Sequence, residues 1–258
     1  VGSEMCIRDR NGNDIRFPYL TTLGNVSSTW GTGLAENRTG SMNLKWEVST
    51  KTNFGIDARF FDDKVDMTVD FFHTKTTDIF QRRANIPDEG GLSNVLPYAN
   101  IGSMKSWGMD GTLAYTHTFN KDMALTVRGN FTHAENEVIY WEQSGVNYPY
   151  QSNSGVPYKV QRGLIALGLF KDEDDIKSSP KQTFMDNYRP GDIKYKDVNG
   201  DGKIDKDDVV PLNYSAVPFI QYGFALDWNY KAFRVSILFE GVSKVQYFHG
   251  GRGFYPFL

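Results

Sequence analysis

Six stretches of this chain alternate apolar and polar residues, a period-two pattern that makes each a β-strand with one oily face and one wet face. In the first, Phe54, Ile56, Ala58 and Phe60 oppose Asp57 and Arg59. In the second, Val65, Met67, Val69 and Phe71 interleave with Asp66, Thr68 and Asp70. The third sets Met109, Leu113, Tyr115 and Phe119 against Asp110, Thr112, Thr116 and Thr118, and the fourth sets Met123, Leu125, Val127 and Phe131 against Thr126, Arg128, Asn130 and Thr132. In the fifth, Ile220, Tyr222, Phe224, Leu226, Trp228 and Tyr230 oppose Gln221, Asp227 and Asn229; in the sixth, Phe233, Val235, Ile237 and Phe239 oppose Arg234, Ser236 and Glu240. Each runs roughly 8–12 residues, the span a tilted strand needs to cross a bilayer.

The connections are lopsided. Asp62-Asp63-Lys64, Asn120-Lys121-Asp122 and Lys231-Ala232 close tight hairpins, whereas Thr74–Gly108 and Thr132–Pro218 are long. Short turns at one end and long loops at the other are the pattern of an outer-membrane barrel. Aromatics make up 14% of the chain, and Phe60, Phe61, Phe119, Trp228, Tyr230 and Phe233 crowd the short-turn ends like an interfacial girdle. A soluble β-sandwich explains the alternation equally well, but the one-sided loops and aromatic ends less well. No apolar run is long enough for a membrane-spanning helix. A net charge of −3 gives no basic excess for nucleic acid.

Residues 1–10, Val-Gly-Ser-Glu-Met-Cys-Ile-Arg-Asp-Arg, fit nothing that follows and look like a translated sequencing adapter, so the barrel portion is read as 11–258. Setting them aside removes Cys6, the single cysteine, from any mechanism. No signal peptide is visible, so an outer-membrane reading expects the true N-terminus to be missing. Residues 11–45 and 139–215 show no sustained period and read as long surface loops. Asn25-Val26-Ser27 and Asn37-Arg38-Thr39 match the glycosylation pattern by chance.

Leu44-Lys45-Trp46-Glu47 followed by Thr52-Asn53-Phe54-Gly55-Ile56-Asp57 resembles a run found in SusC/RagA-type TonB-dependent transporters. So do Lys75-Thr76-Thr77-Asp78-Ile79, Asn100-Ile101-Gly102-Ser103, Trp107-Gly108-Met109-Asp110 and the stretch from Pro190 through Gly191-Asp192-Ile193-Lys194-Tyr195-Lys196-Asp197 to Gly202. The resemblance spans Asn11 to Leu258. It implies an all-β fold: an antiparallel transmembrane barrel of 22 strands, closed by an N-terminal plug upstream of this chain. It also implies the outer membrane of Bacteroidota, a SusD-like lipoprotein lid, energy delivered through TonB, and import of glycans or peptides. The chain would be part of such a barrel, surrounded by outer-membrane lipid, and not an enzyme.

One constellation carries chemistry. Asp197, Asn199, Asp201 and Asp205 stand at positions 1, 3, 5 and 9 of a twelve-residue calcium-type loop, Asp197–Asp208. Gly202 holds the sharp turn at position 6, Lys203 offers a backbone carbonyl at position 7, and Asp208 replaces the usual Glu at position 12, as in dockerin-type loops. Ile193-Lys194-Tyr195-Lys196 alternates like a strand and Pro211 follows too soon for a long second helix, so the expectation is a structural Ca2+ loop without the helix pair. The competing reading is an Asp/Asn/Gly turn that hydrogen-bonds its own backbone.

His73, His117, His133 and His249 have no metal-ligand spacing. Asp57, Asp66, Asp70 and Asp110 read more simply as lumen-facing strand residues than as a glycosidase acid pair. Trp141, Tyr148, Tyr150 and Tyr158 could stack on sugar rings or pack beneath a lid. The residues alone therefore leave two rivals to the importer: a soluble calcium-stabilised β-sandwich binding module and a glycosidase.

Overall fold

The computed structural model of the 258-residue chain describes residues 7–8, 14–15, 18–28, 31–86, 95–247 and 249. Two small ladders come first. β1 (Ile7–Arg8) pairs with β2 (Asp14–Ile15), and β3 (Thr22–Ser28) pairs with β4 (Gly31–Arg38). Of the segment read as foreign only Ile7 and Arg8 are described; Cys6 and residues 251–258 lie outside the described residues.

Each alternating segment is a strand. β5 (Val48–Phe60), β6 (Val65–Arg82), β7 (Tyr98–Asn120), β8 (Met123–Tyr140), β15 (Ile220–Tyr230) and β16 (Phe233–Ser243) form one six-stranded antiparallel sheet in the order β16-β15-β8-β7-β6-β5. Phe61–Lys64, Lys121–Asp122 and Lys231–Ala232 turn the chain at one end. Phe61, Asp62 and Asp63 all take left-handed φ, at 57°, 55° and 61°, a region aspartate tolerates better than most side chains. At the other end the chain makes its long excursions, 83–97 and 141–219. The expected lopsidedness is therefore real. β6 and β7 run further toward the long-loop end than their alternation shows, to 18 and 23 residues, because the ladder continues through mixed polar sequence.

The register sorts side chains into two faces. One row across all six strands reads Phe60, Val65, Tyr115, Val127, Leu226 and Ile237. The next reads Ala58, Met67, Leu113, Gly129, Phe224 and Phe239. The opposite face carries Asp57, Thr68, Thr112, Asn130, Gly223 and Glu240 in one row and Arg59, Asp66, Ala114 and Arg128 in another. Thr68 donates to Asp57 at 2.8 Å, Arg59 pairs with Asp66 at 3.4 Å, and Arg128, Arg234 and Ser236 converge on Asp227.

Among the described residues, no layer covers the apolar face. Phe54, Leu113, Tyr222, Phe233 and Phe239 are 63%, 52%, 52%, 72% and 65% exposed. The buried apolar residues of the sheet are Ile79, Phe80 and Val138, all at the long-loop end. The oily band runs from the Phe54–Phe71–Met109 row to the Tyr230–Phe233 row, which is the length of β15. Eleven residues of strand rise about 33 Å, and a tilt near 40° brings that to about 25 Å, the height of the apolar band of a transmembrane barrel. A sandwich would bury this face against a second sheet. The sheet is an open antiparallel wall with β5 and β16 at its edges among the described residues.

The segments read as featureless loops are structured. Besides the β3–β4 hairpin, the 141–219 excursion holds β9 (Val160–Gly163), β10 (Ala166–Leu169), a short helix α1 (Glu173–Ser178), β11 (Lys181–Gln182), β12 (Ile193–Tyr195), β13 (Lys203–Ile204) and β14 (Val210–Ser215). These pair β9 with β14 and β10 with β12 antiparallel, and β11 with β13 parallel. Ladders of two to six residues are too short to imprint a period on the sequence. Phe170, Ile204, Val210 and Phe219 are buried here, so the excursion has a small core of its own.

Candidate functional site

The acidic loop follows β12 and ends in a 3-10 turn, Lys206–Asp208. Its aspartates and Asn199 bind backbone. Asp197 accepts from the N–H of Gly200 at 2.7 Å with one oxygen and from Gly202 at 2.9 Å with the other. Asn199 Oδ1 accepts from Asp201 N–H, Asp201 Oδ1 from Lys203 N–H and Asp205 Oδ1 from Asp207 N–H, at 3.0, 2.8 and 2.8 Å. Gly200 and Gly202 have φ of 77° and 83°, so the glycine at position 6 does supply the left-handed turn. Lys203 opens β13, which lies beside β11.

Asp208 is fully buried. Its Oδ1 accepts from Val198 N–H at 2.7 Å and Asn199 N–H at 3.4 Å, and its Oδ2 from Asp205 N–H at 2.9 Å. One carboxylate therefore ties the last residue of the loop to its start. The sequence pattern marks position 12 as an ion ligand and carries no separate sign of this clasp.

Among the described residues, no three His, Cys, Asp or Glu side chains are grouped so as to hold a metal ion. A cation entering this loop would share the oxygens of Asp197 and Asp208, all of which already receive backbone N–H groups. Each such oxygen has more than one lone pair, so sharing is chemically open.

Two loop aromatics support the turn. Tyr148 and Tyr150 stack with ring centroids 5.4 Å apart and planes 6° apart. Tyr150 Oη donates to the Asp207 carbonyl at 2.6 Å, Gln151 Nε2 to Asp207 Oδ1 at 3.3 Å, and Asn199 Nδ2 to Tyr148 Oη at 3.2 Å. Burial, with the Tyr148 phenol and the nearby Asp208, Asp207 and Asp197 carboxylates, pushes the Tyr150 phenol up. Arg162 donates to the carbonyls of Tyr150 and Ser152 at 3.2 and 2.6 Å, fixing the 3-10 turn Pro149–Gln151 that carries the pair.

Trp141 and Tyr158 stand apart from that turn. Their rings lie 6.2 Å apart at 50°, beside a cleft of about 250 Å³ that Asn153 and Lys159 also line. The four loop aromatics thus divide into two that brace the acidic turn and two that face a cleft.

Glu142, just past β8, clamps the residues that follow β6. Its side chain is 2% exposed and accepts from Arg83 Nε at 2.7 Å and Asn85 N–H at 2.8 Å. Burial raises its carboxyl, but the hydrogen bonds from Asn85 and Arg83 outweigh that effect and hold it below the usual carboxylate range.

The strand histidines form no metal site. Phe71, His73, Met109, His117 and His133 fall on the apolar face by register. His117 packs edge-on against Phe119 at 4.4 Å, and His133 contacts Glu135 at 3.0 Å.

Comparison with known proteins agrees with this wall. A family model described as TonB dependent receptor-like, beta-barrel, matches residues 12–256. TonB-dependent receptor P39 of Formosa agariphila is 30% identical over 242 residues, covering 81% of this chain and 23% of that protein. TonB-dependent receptor P26 of the same organism is 27% identical, covering 90% and 24%. TonB-dependent receptor SusC of Bacteroides thetaiotaomicron is 26% identical over 176 residues, covering 64% and 16%. The RagAB peptide importer in its open-open state superposes with a TM-score of 0.66 at 21% identity, over 89% of this chain and 24% of that one. The chain spans about a quarter of the length of the Formosa relatives. An uncovered apolar face of bilayer height and a match running almost end to end give one conclusion: this chain belongs to the TonB-dependent receptor-like β-barrel family.

Proposed function

We propose that the chain forms part of the wall and external loops of an outer-membrane importer. The observation that carries this reading is the apolar face left open across all six strands. An exposed oily surface of that extent marks a membrane or protein contact, and its bilayer height and aromatic rim favour hydrocarbon. The polar face, with its Asp57, Asp66, Arg128 and Asp227 network, lines the lumen. Cargo is an oligosaccharide or a peptide. A SusD-like lipoprotein covers the long-loop side, and TonB drives the cycle through the rest of the protein. SusC and the RagAB peptide importer among the relatives support this division of labour. The proposal assigns the chain no catalysis.

The test is to delete the complete gene and measure uptake of labelled oligosaccharides and peptides by whole cells. Loss of uptake for one cargo class, restored by the intact gene, is expected. A complete gene product that is monomeric in plain buffer without detergent contradicts the reading and favours the soluble alternative.

We further propose that Ca2+ rigidifies the acidic loop through Asp197, Asn199, Asp201, the Lys203 carbonyl, Asp205 and Asp208. The spacing of oxygen groups and the left-handed Gly202 support this. Calcium should slow proteolysis within 197–208, and Asp201→Ala should remove that protection. Equal cleavage in calcium and in chelator contradicts it.

A further inference from the structure

We infer that the upper rim of the apolar face carries a binding site for the anionic headgroup of a membrane lipid, centred on Lys75 and Lys105. The inference rests on the membrane reading above. Beyond the row Phe54–Phe71–Met109, the same face continues without a register break. The next row holds Thr52, His73 and Trp107, and the one after it Thr50, Lys75 and Lys105. Lys75 and Lys105 are therefore directly opposed across neighbouring strands, like charges that repel, and a carboxylate of the chain offsets only one of the two. Lys105 has one counter-charge, Glu137 at 3.0 Å, and its ammonium sits 5.3 Å from the Trp107 ring centroid. Lys75 is exposed and has no carboxylate within ion-pair distance among the described residues.

The cations are concentrated. On β8 the same rim turns acidic: Glu135 takes His133 at 3.0 Å and Lys244 at 3.2 Å, so charge there is internally balanced. Among the described residues of this rim, the β6–β7 sector leaves one cation, Lys75, without a carboxylate partner. Directly beneath it lie Phe71, Met109 and Phe54, about 13 Å lower along the strands, a length comparable to a lipid headgroup and its first acyl carbons. Thus the surface presents hydroxyls and ammonium groups above, an indole at the boundary and bare hydrocarbon below. A free phosphate uses only the top of this surface; a lipid with an anionic head uses all of it.

The complete importer, reconstituted in nanodiscs of phosphatidylcholine or of phosphatidylcholine mixed with phosphatidylglycerol, allows a direct test by mass analysis of the retained lipids. We expect phosphatidylglycerol to be enriched, and Lys75→Gln and Lys105→Gln each to lower the enrichment about fivefold. Lys51→Gln is the control, because Lys51 lies opposite Thr74 at the same height but on the polar face. The proposal is overturned if the double variant keeps the wild-type preference, if Lys51→Gln loses as much, or if inorganic phosphate displaces the bound lipid. A protein that inserts as a barrel yet shows no headgroup preference refutes this site alone; one that never enters nanodiscs refutes the membrane reading beneath it.

Discussion

The carboxylate of Asp208 accepts the N–H of Val198, ten positions upstream in space of one loop, at 2.7 Å. With Asn199 and Asp205 also bound to it, this single buried side chain closes the acidic loop from inside.

Replacing it should therefore open the loop without touching the wall. Asp208→Ala strips a buried carboxylate from three backbone donors, and hydrogen bonds to charged groups contribute about 1.5–3 kcal/mol each way of counting. The expected result is rapid proteolysis within 197–208, with the sheet's resistance to heat in detergent unchanged. Asp208→Asn should sit between, because one oxygen remains an acceptor.

Tyr150→Phe tests the brace. It removes the donor to the Asp207 carbonyl while keeping the stack on Tyr148. A loss of about 1 kcal/mol in local stability is expected, read as faster amide exchange across 206–208.

The Glu142 clamp predicts a pH response. Its carboxyl is held below the unfolded value of about 4.3. A depressed folded pKa stabilises fully above the unfolded pKa, and that contribution disappears as pH falls through the folded one. Residues 83–86 should thus become susceptible to exchange once pH falls below the ordinary carboxylate range, while Glu142→Gln should remove the pH dependence and leave exchange fast throughout. Arg83→Met should raise exchange at neutral pH, since it leaves a nearly buried carboxylate without its cation.

Gly108 predicts a packing failure. A Cβ there would lie 2.1 Å from the His133 carbonyl oxygen and 2.7 Å from Phe72 Cζ. Backbone cannot yield as a side-chain tip can, so Gly108→Ala should weaken the β7–β8 ladder and lower the yield of folded barrel in detergent.

Much of this was legible in the sequence, for definable reasons. The alternation of Phe54–Phe60 or Tyr222–Tyr230 has the period of a strand, and the Asp62-Asp63 and Lys231-Ala232 turns fixed which ends were short. The left-handed Gly202 was legible because position 6 of such a loop admits little else. The β10–β12 and β11–β13 ladders were not, since each depends on partners brought together only by tertiary folding. Nor was the split of Tyr148 and Tyr150 from Trp141 and Tyr158: hydrogen bonds spanning 51 and 57 residues leave no local signature. The Asp208 clasp is local, but position 12 of a calcium-type loop carries a carboxylate whether it holds an ion or the backbone.

Adjacent residues on β7 should differ sharply in their tolerance of charge. Leu113 lies mid-band on the apolar face and Thr112 on the polar face. Leu113→Arg should cost about 2–4 kcal/mol and deplete the folded protein from the outer membrane, whereas Thr112→Arg should be tolerated.

The orientation of the oily face is read most directly by spin labels placed singly from 109 to 119 on β7 of the complete protein in bilayers, with any native cysteine replaced by Ser. Collision with oxygen, which dissolves in hydrocarbon, should peak at Met109, Gly111, Leu113 and Tyr115; collision with a water-soluble nickel chelate should peak at Asp110, Thr112 and Ala114. Labels at 109, 111, 113 and 115 that meet neither reagent would place those side chains in a dry protein interior and contradict the membrane wall.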